Sequence, residues 1–262
     1  MVQAAQTTNP SLHQLPPQVQ KTVKGELGEN KLVSIEKETD GDEVTYTITR
    51  ARKEGEKFFT VGQDGTLLSV EVGLADPGVP LAVQETIQME VGKGKIESIE
   101  KSFEDGEISF DVEFKKADGK DSSFSVAADG KLTCAQMTAA EIPAAARKTI
   151  EAHLGNGKLG DVYRLMDGNE ISYDAEVDHG GKTRDVIVAP NGTLESIQVF
   201  MEEIPPGAQK TIKEKVGNGK LVRIDKSFSS KRGGGPFEVE ARKDGKPLNF
   251  SVSAKGRFLG VD

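Results

Sequence analysis

Three short stretches decide how this chain is read: LGNGKL at residues 154–159, VGNGKL at 216–221 and the looser VGKGKI at 91–96. A glycine-rich loop ending in lysine suggests phosphate binding. A phosphate cradle needs a strand before the glycines, a helix after them, and Ser or Thr behind the lysine. Here the order is reversed. Residues 142–154 read IPAAARKTIEAHL, with Ile142, Ala146, Ile150 and Leu154 recurring every fourth residue as one apolar helix stripe. Lys158 is followed by Leu159 and the strand-like DVYRL, so no hydroxyl stands where magnesium would need one. Gly155 is therefore expected to end a helix in a left-handed conformation, with Leu159 covering the helix end.

Working outward, the same arrangement recurs. Prolines stand at 16, 80, 143 and 205, spaced by 64, 63 and 62 residues, and glycines follow at 28, 92, 155 and 217. Between them the apolar rows are Leu15, Val19, Val23, Leu27; Val79, Val83, Ile87, Val91; the row already given; and Ile204, Ala208, Ile212, Val216. Proline suits the first helical turn, where the missing amide has no intrahelical partner. Behind each row the period falls from four to two. The alternating sets are Val44, Tyr46, Ile48; Ile108, Phe110, Val112, Phe114; Ile171, Tyr173, Ala175, Val177; and Phe237, Val239, Ala241. These read as strands with one buried face. Second pairs follow at Phe59 and Val61, Phe124 and Val126, Val186 and Val188, Phe250 and Val252, each trailed by a turn glycine at 65, 130, 192 or 256.

The expected fold is α+β: four tandem repeats, each one helix packed on a four-stranded antiparallel meander. The expected divisions are a disordered tail over 1–14, repeats over 15–76, 77–139 and 140–202, and a basic fourth repeat over 203–262. Composition agrees with many short elements: 29 Gly, 11 Pro, 5% aromatic residues and no Trp in 262 residues. No run approaches the roughly 20 apolar residues of a membrane-spanning helix. One cysteine, Cys134, cannot form an internal disulfide.

The first copy, LPPQVQKTV…GENKLVSIEKE…EVTYTI…FFTVGQDGTLLSVEV, resembles the PepSY-like, beta-lactamase-inhibitor-protein-like modules of bacteria. The resemblance rests on the proline-led helix, the IEK strand at 35–37 and 99–101, the aromatic strand and the closing DG-x-L turn. It implies an extracytoplasmic protein, periplasmic or secreted, that binds other proteins or envelope material without catalysis. The opening MVQAAQTTNP lacks the basic and apolar regions of a signal peptide, and its small residues at Ala4 and Ala5 fit what cleavage leaves.

No catalytic, cofactor or metal constellation is legible. His13, His153 and His179 have no partner at ligand spacing, and Cys134 falls where the other copies carry Ser69, Ser196 and Gly260. The acidic turns at 40–43, 105–108 and 167–170 are too short for a calcium loop and read as hairpins. The candidates for partner binding are side chains that depart from their sibling copies, for which packing under a neighbouring copy is the competing expectation. Tyr163 stands where the others carry Glu36, Glu100 and Asp225, while Phe103, Met166 and Phe228 precede the first hairpin.

Charge supplies the rest. The whole chain carries −8, which argues against a nucleic-acid partner. Residues 205–262 hold 13 Lys and Arg against 6 Asp and Glu, or +7, leaving −15 for residues 1–204. Lys210, Lys213, Lys220, Arg223, Lys231 and Arg232 would meet an anionic surface if that asymmetry is used. The leading expectation is a non-catalytic envelope protein, inhibitor-like, that binds a protein through an exposed sheet face or loops. The alternative is a structural or adhesive protein docking to anionic polymer or membrane through its basic end. Head-to-tail association of basic and acidic ends is a third option.

Overall fold

The apolar rows at four-residue spacing fold as α-helices of eleven residues: α1 (Pro17–Leu27), α2 (Leu81–Val91), α3 (Ala144–Leu154) and α4 (Pro206–Val216). This is a computed structural model, and it describes residues 6–40, 43–53, 55–104, 106–228, 235–243 and 246–261. Pro16, Pro80, Pro143 and Pro205 stand one residue before each helix rather than within its first turn, and their extended backbone turns the chain into it. Each proline carbonyl accepts the first helical bond, as Gln20 N–H does on Pro16 at 2.9 Å.

Gly155 has a positive φ of 53°, as expected, but its ψ is −118°. It is therefore not in the left-handed helical conformation. With Gly157 N–H donating to Leu154 O at 2.7 Å, it is the first central residue of a type II′ turn, a position that asks for glycine. The second glycine of the motif has a separate reason. A Cβ on Gly157 would lie 2.6 Å from Asp178 O, so the turn presses its backbone onto the neighbouring strand. GNGKL is thus a helix-to-strand corner.

The chain divides into two compact units, residues 1–133 and 134–262. Unit 1 contains β1 (Gln6–Thr8), β2 (Lys31–Asp40), β3 (Glu43–Arg52), β4 (Gly55–Gly62), β5 (Leu67–Glu71), β6 (Lys95–Glu104), β7 (Glu107–Lys115) and β8 (Asp121–Ala127). The division falls inside β9 (Leu132–Met137). Unit 2 continues with β10 (Lys158–Asp167), β11 (Glu170–Asp178), β12 (Thr183–Val188), β13 (Leu194–Gln198), β14 (Lys220–Ser227), β15 (Phe237–Lys243), β16 (Lys246–Val252) and β17 (Phe258–Val261).

The expected α+β fold, four tandem repeats of one helix on its own four-stranded meander, is overturned. Antiparallel sheet dominates, with seventeen strands against four α-helices among the described residues. The strands are not parcelled into fours. In unit 1, β5 pairs with β6 through Val70 opposite Lys101. In unit 2, β13 pairs with β14 through Ile197 opposite Lys226, and Cys134–Met137 pairs with β10. The physical reason is that a free strand edge exposes a row of unpaired N–H and C=O groups, and joining edge to edge removes it. At the start of unit 1, β1 covers β2 in the same way.

Period-two residues point into the helices. In unit 2, Ile142, Ala146 and Ile150 of the α3 segment pack with Val162, Tyr173, Ala175 and Val186, while Ile204, Ala208 and Ile212 pack with Ile224, Val239 and Phe250. In unit 1, Val19, Val23, Ile48 and Phe59 are fully buried, as are Val83, Ile87, Phe110 and Val126. Each such aliphatic or Phe side chain contributes roughly 1.5–3 kcal/mol.

One polar contact recurs in all four helices. The hydroxyls of Thr22, Thr86, Thr149 and Thr211 donate to the carbonyls of Gly65, Gly130, Gly192 and Gly256 at 2.6–2.7 Å. Each glycine lies in the last hairpin turn and sits against the first turn of its helix; a Cβ on Gly192, at φ +87°, would lie 2.7 Å from Ala145 O. Thr149→Val keeps the shape and removes the hydroxyl, leaving a half-buried carbonyl unpaired. Chemical denaturation should show a loss of about 1–2 kcal/mol, and Gly192→Val a larger one.

The corner can be tested in the same assay. Gly155→Val should destabilise by about 1 kcal/mol or more because a β-branched residue is poorly tolerated at positive φ. Lys158→Ala, at an exposed position, should change stability little. A phosphate-binding loop would give the opposite result, with phosphate affinity lost in Lys158→Ala.

Candidate functional site

Alternation along β10 to β15 leaves one sheet face in unit 2 turned away from the α3 and α4 cores. Register places Tyr163, Asp174, Ile187, Ser196 and Ser227 in one row across five strands of that face. The flanking row carries Glu176 opposite Asp185, and Gln198 opposite Asp225. The face is polar and half-buried, with Ser227 buried outright.

Its centre is Arg223 of β14. The guanidinium grips Asp225 through two bonds, Nε to Oδ2 at 2.6 Å and Nη2 to Oδ1 at 2.8 Å, and turns Nη1 to Asp185 of β12. Burial works against the cation, but the hydrogen bonds and charges of Asp225 and Asp185 outweigh it and raise the Arg223 pKa. A third carboxylate, Asp174 of β11, has a buried Oδ1 with no hydrogen-bond partner in the structure. Burial pushes Asp174 up to about 6, Asp185 adds to this, Arg223 opposes it, and Glu176 and Asp225 raise it further. Arg223 hydrogen-bonds two of the three carboxylates, and the third, buried and without such a bond, holds a proton more readily than usual.

The predicted contact residues lie in different places. Tyr163 is on this face directly opposite Asp174, and Arg223 is its centre. Lys220 opens β14 opposite Arg242, exposed. Phe228, 37% exposed, donates its N–H to Glu195 O at 2.7 Å. Glu195 itself is raised by burial and by the charge of Glu170. Met166 pairs with Ile171 beside the β10–β11 hairpin. Phe103 is in unit 1, opposite Ile108, with Lys101 Nζ 5.1 Å from its ring centre. Lys231 and Arg232 fall outside the described residues. Tyr163 and Arg223 both neighbour Asp174, the first by strand register and the second by its charge.

Sequence reasoning missed Asp174, Asp185 and Asp225. A signal was present: SYDAEVD puts acids at the outward positions of a half-buried strand, and RID sets a cation two residues from an acid on one strand face.

No family model matches the chain, and no curated protein matches it. Among solved structures it is similar to a BLIP-like protein from Bacteroides fragilis, 15% identical, covering 45% of this chain and 83% of that one at a TM-score of 0.34. It is similar to a Bacteroides vulgatus protein of the DUF2874 family, named as periplasmic: 16% identical, 50% and 96% covered, TM-score 0.33. A DUF2874 family protein from Bacteroides ovatus is 12% identical, 46% and 86% covered, at 0.35. The PepSY half of the resemblance has no counterpart among these. No helix of the described residues is long and apolar enough to cross a membrane.

The carboxylate cluster carries a pH signature. The folded pKa of Asp174 lies above its unfolded value, so its stabilising contribution is complete below about 4 and is lost as pH rises through about 6. Asp174→Asn should raise stability at pH 7 by on the order of 2 kcal/mol. It should also flatten the unfolding free energy between pH 4 and 6. Denaturation midpoints across that range decide it; a variant with the wild-type pH profile would remove Asp174 from the account.

Proposed function

We propose that this chain is a non-catalytic binding protein of the bacterial envelope, periplasmic or secreted, that seats a protein partner on the unit 2 sheet face around Arg223. The observation that carries the reading is the unpaired, buried Oδ1 of Asp174, held beside Tyr163 on a face that no core side chain occupies. Tyr and Arg are the residue types that dominate interface energetics when their geometry is fixed beforehand. Here Arg223 is fixed by two carboxylates and Tyr163 by the strand ladder. The envelope location rests on the family resemblance of the repeated motif.

The reading is tested with the immobilised chain and an envelope extract. One defined protein should be retained by the wild type and by Met89→Ala, whose side chain is exposed on α2 in unit 1. Tyr163→Ala should weaken retention by about 1 kcal/mol or more, and Ile187→Arg, which adds bulk and charge to the face, should abolish it. Retention unchanged by both would exclude this face.

A further inference from the structure

The joints between strands that flank a helix share one side-chain pattern. Val70 of β5 faces Lys101 of β6, Ala135 of β9 faces Arg164 of β10, and Ile197 of β13 faces Lys226 of β14. In each, an aliphatic residue sits opposite a cation. Val70 is 8% exposed, Ala135 is 9% exposed, and Ile197 is half-buried. The fourth aliphatic residue at this place is Val261 of β17, paired through β16 as Val70 is through β4. Within unit 2, β17 is hydrogen-bonded to β16, and Val261 is 66% exposed. The fourth cation is Lys37 of β2, two residues beyond Ile35 as Lys101 is beyond Ile99. It faces Thr8 of β1, a three-residue strand. A cavity of about 380 Å³ lined by Thr8, Pro10, Leu15, Lys37 and Tyr46 adjoins that pairing, so β1 fills the edge incompletely.

We propose that the β17 edge is a docking surface for the β2 edge of a second copy of this chain, with β1 as a strand that occupies the acceptor edge until it is displaced. The register follows from the internal joints: Val261 opposite Lys37 and Gly260 opposite Glu38, the place that Thr8 and Thr7 hold now. Charge favours this pairing over its alternatives, because the docking end belongs to the +7 segment and the acceptor to the −15 segment. Two β17 edges would bring like charge together. A β17-to-β2 contact is head-to-tail, so it uses different surfaces on each copy and can extend into open chains. This inference stands apart from the sheet-face reading above, since it uses the strand edges alone.

Two experiments test it. In sedimentation velocity at low salt, a variant lacking residues 1–9 should self-associate about tenfold more tightly than the wild type, and Val261→Asp in that variant should reverse the gain. Higher salt should weaken the association. A shortened variant that stays monomeric across the concentration series would overturn the proposal. The register is read by disulfide trapping in a Cys134→Ser background. Val261→Cys mixed with Lys37→Cys should cross-link about tenfold faster than Val261→Cys with Met89→Cys, because directly opposed strand residues lie within disulfide reach. Equal rates for the two mixtures, or faster trapping of Val261→Cys with itself, would exclude the head-to-tail pairing, the second in favour of a symmetric dimer.

Discussion

The position of every helix depends on a single contact, the threonine hydroxyl on the carbonyl of the last turn glycine. Apolar stripes alone would let a helix slide or rotate on a sheet face, because burial is non-directional. The hydroxyl fixes one point along the helix axis, and the glycine beneath the first turn fixes the spacing. At 2.7 Å from Ala145 O, the site of a missing Cβ on Gly192 shows how little room remains. The sheet beneath then has a defined inner face, and the polarity of its other face follows.

That outer face gathers charge in a particular way. Arg223 is satisfied by Asp225 and Asp185, so it does not behave as a loose cation on a basic surface. The positive balance of residues 205–262 is carried instead by side chains such as Lys213, Lys246 and Lys255, which are exposed. Charge count and charge availability are separate quantities here.

Much of the local structure was legible. Apolar rows between proline and glycine became α1 to α4 within a residue or two, and period-two runs became the inward faces of β3, β7, β11 and β15, except Ile171, which is 41% exposed. The joining of β5 to β6 and of β13 to β14 was not, because backbone hydrogen bonds at an edge leave no side-chain signature as strong as a buried stripe. The ψ of Gly155 was hidden too, since positive φ asks for glycine in several turn types. The threonines stood in plain sight in QKTV, QETI, RKTI and QKTI, but their role needs the turn glycine some 43–45 residues away. The Asp174, Asp185, Arg223 and Asp225 cluster was least accessible: it forms diagonally across strands, between residues as far apart in sequence as Arg223 and Asp185.

The ladder also sets how the chain can be assembled in time. Among the described residues of each unit, paired strands follow one another in sequence, with a turn or a helical segment between them. Loop-closure entropy grows only as the logarithm of the intervening length, about 0.6 kcal/mol per doubling. No strand must wait for a partner from the far end of its unit. A growing chain can add each hairpin to an ordered edge as it emerges, and the threonine contact then locks the preceding helix once its turn glycine has been made.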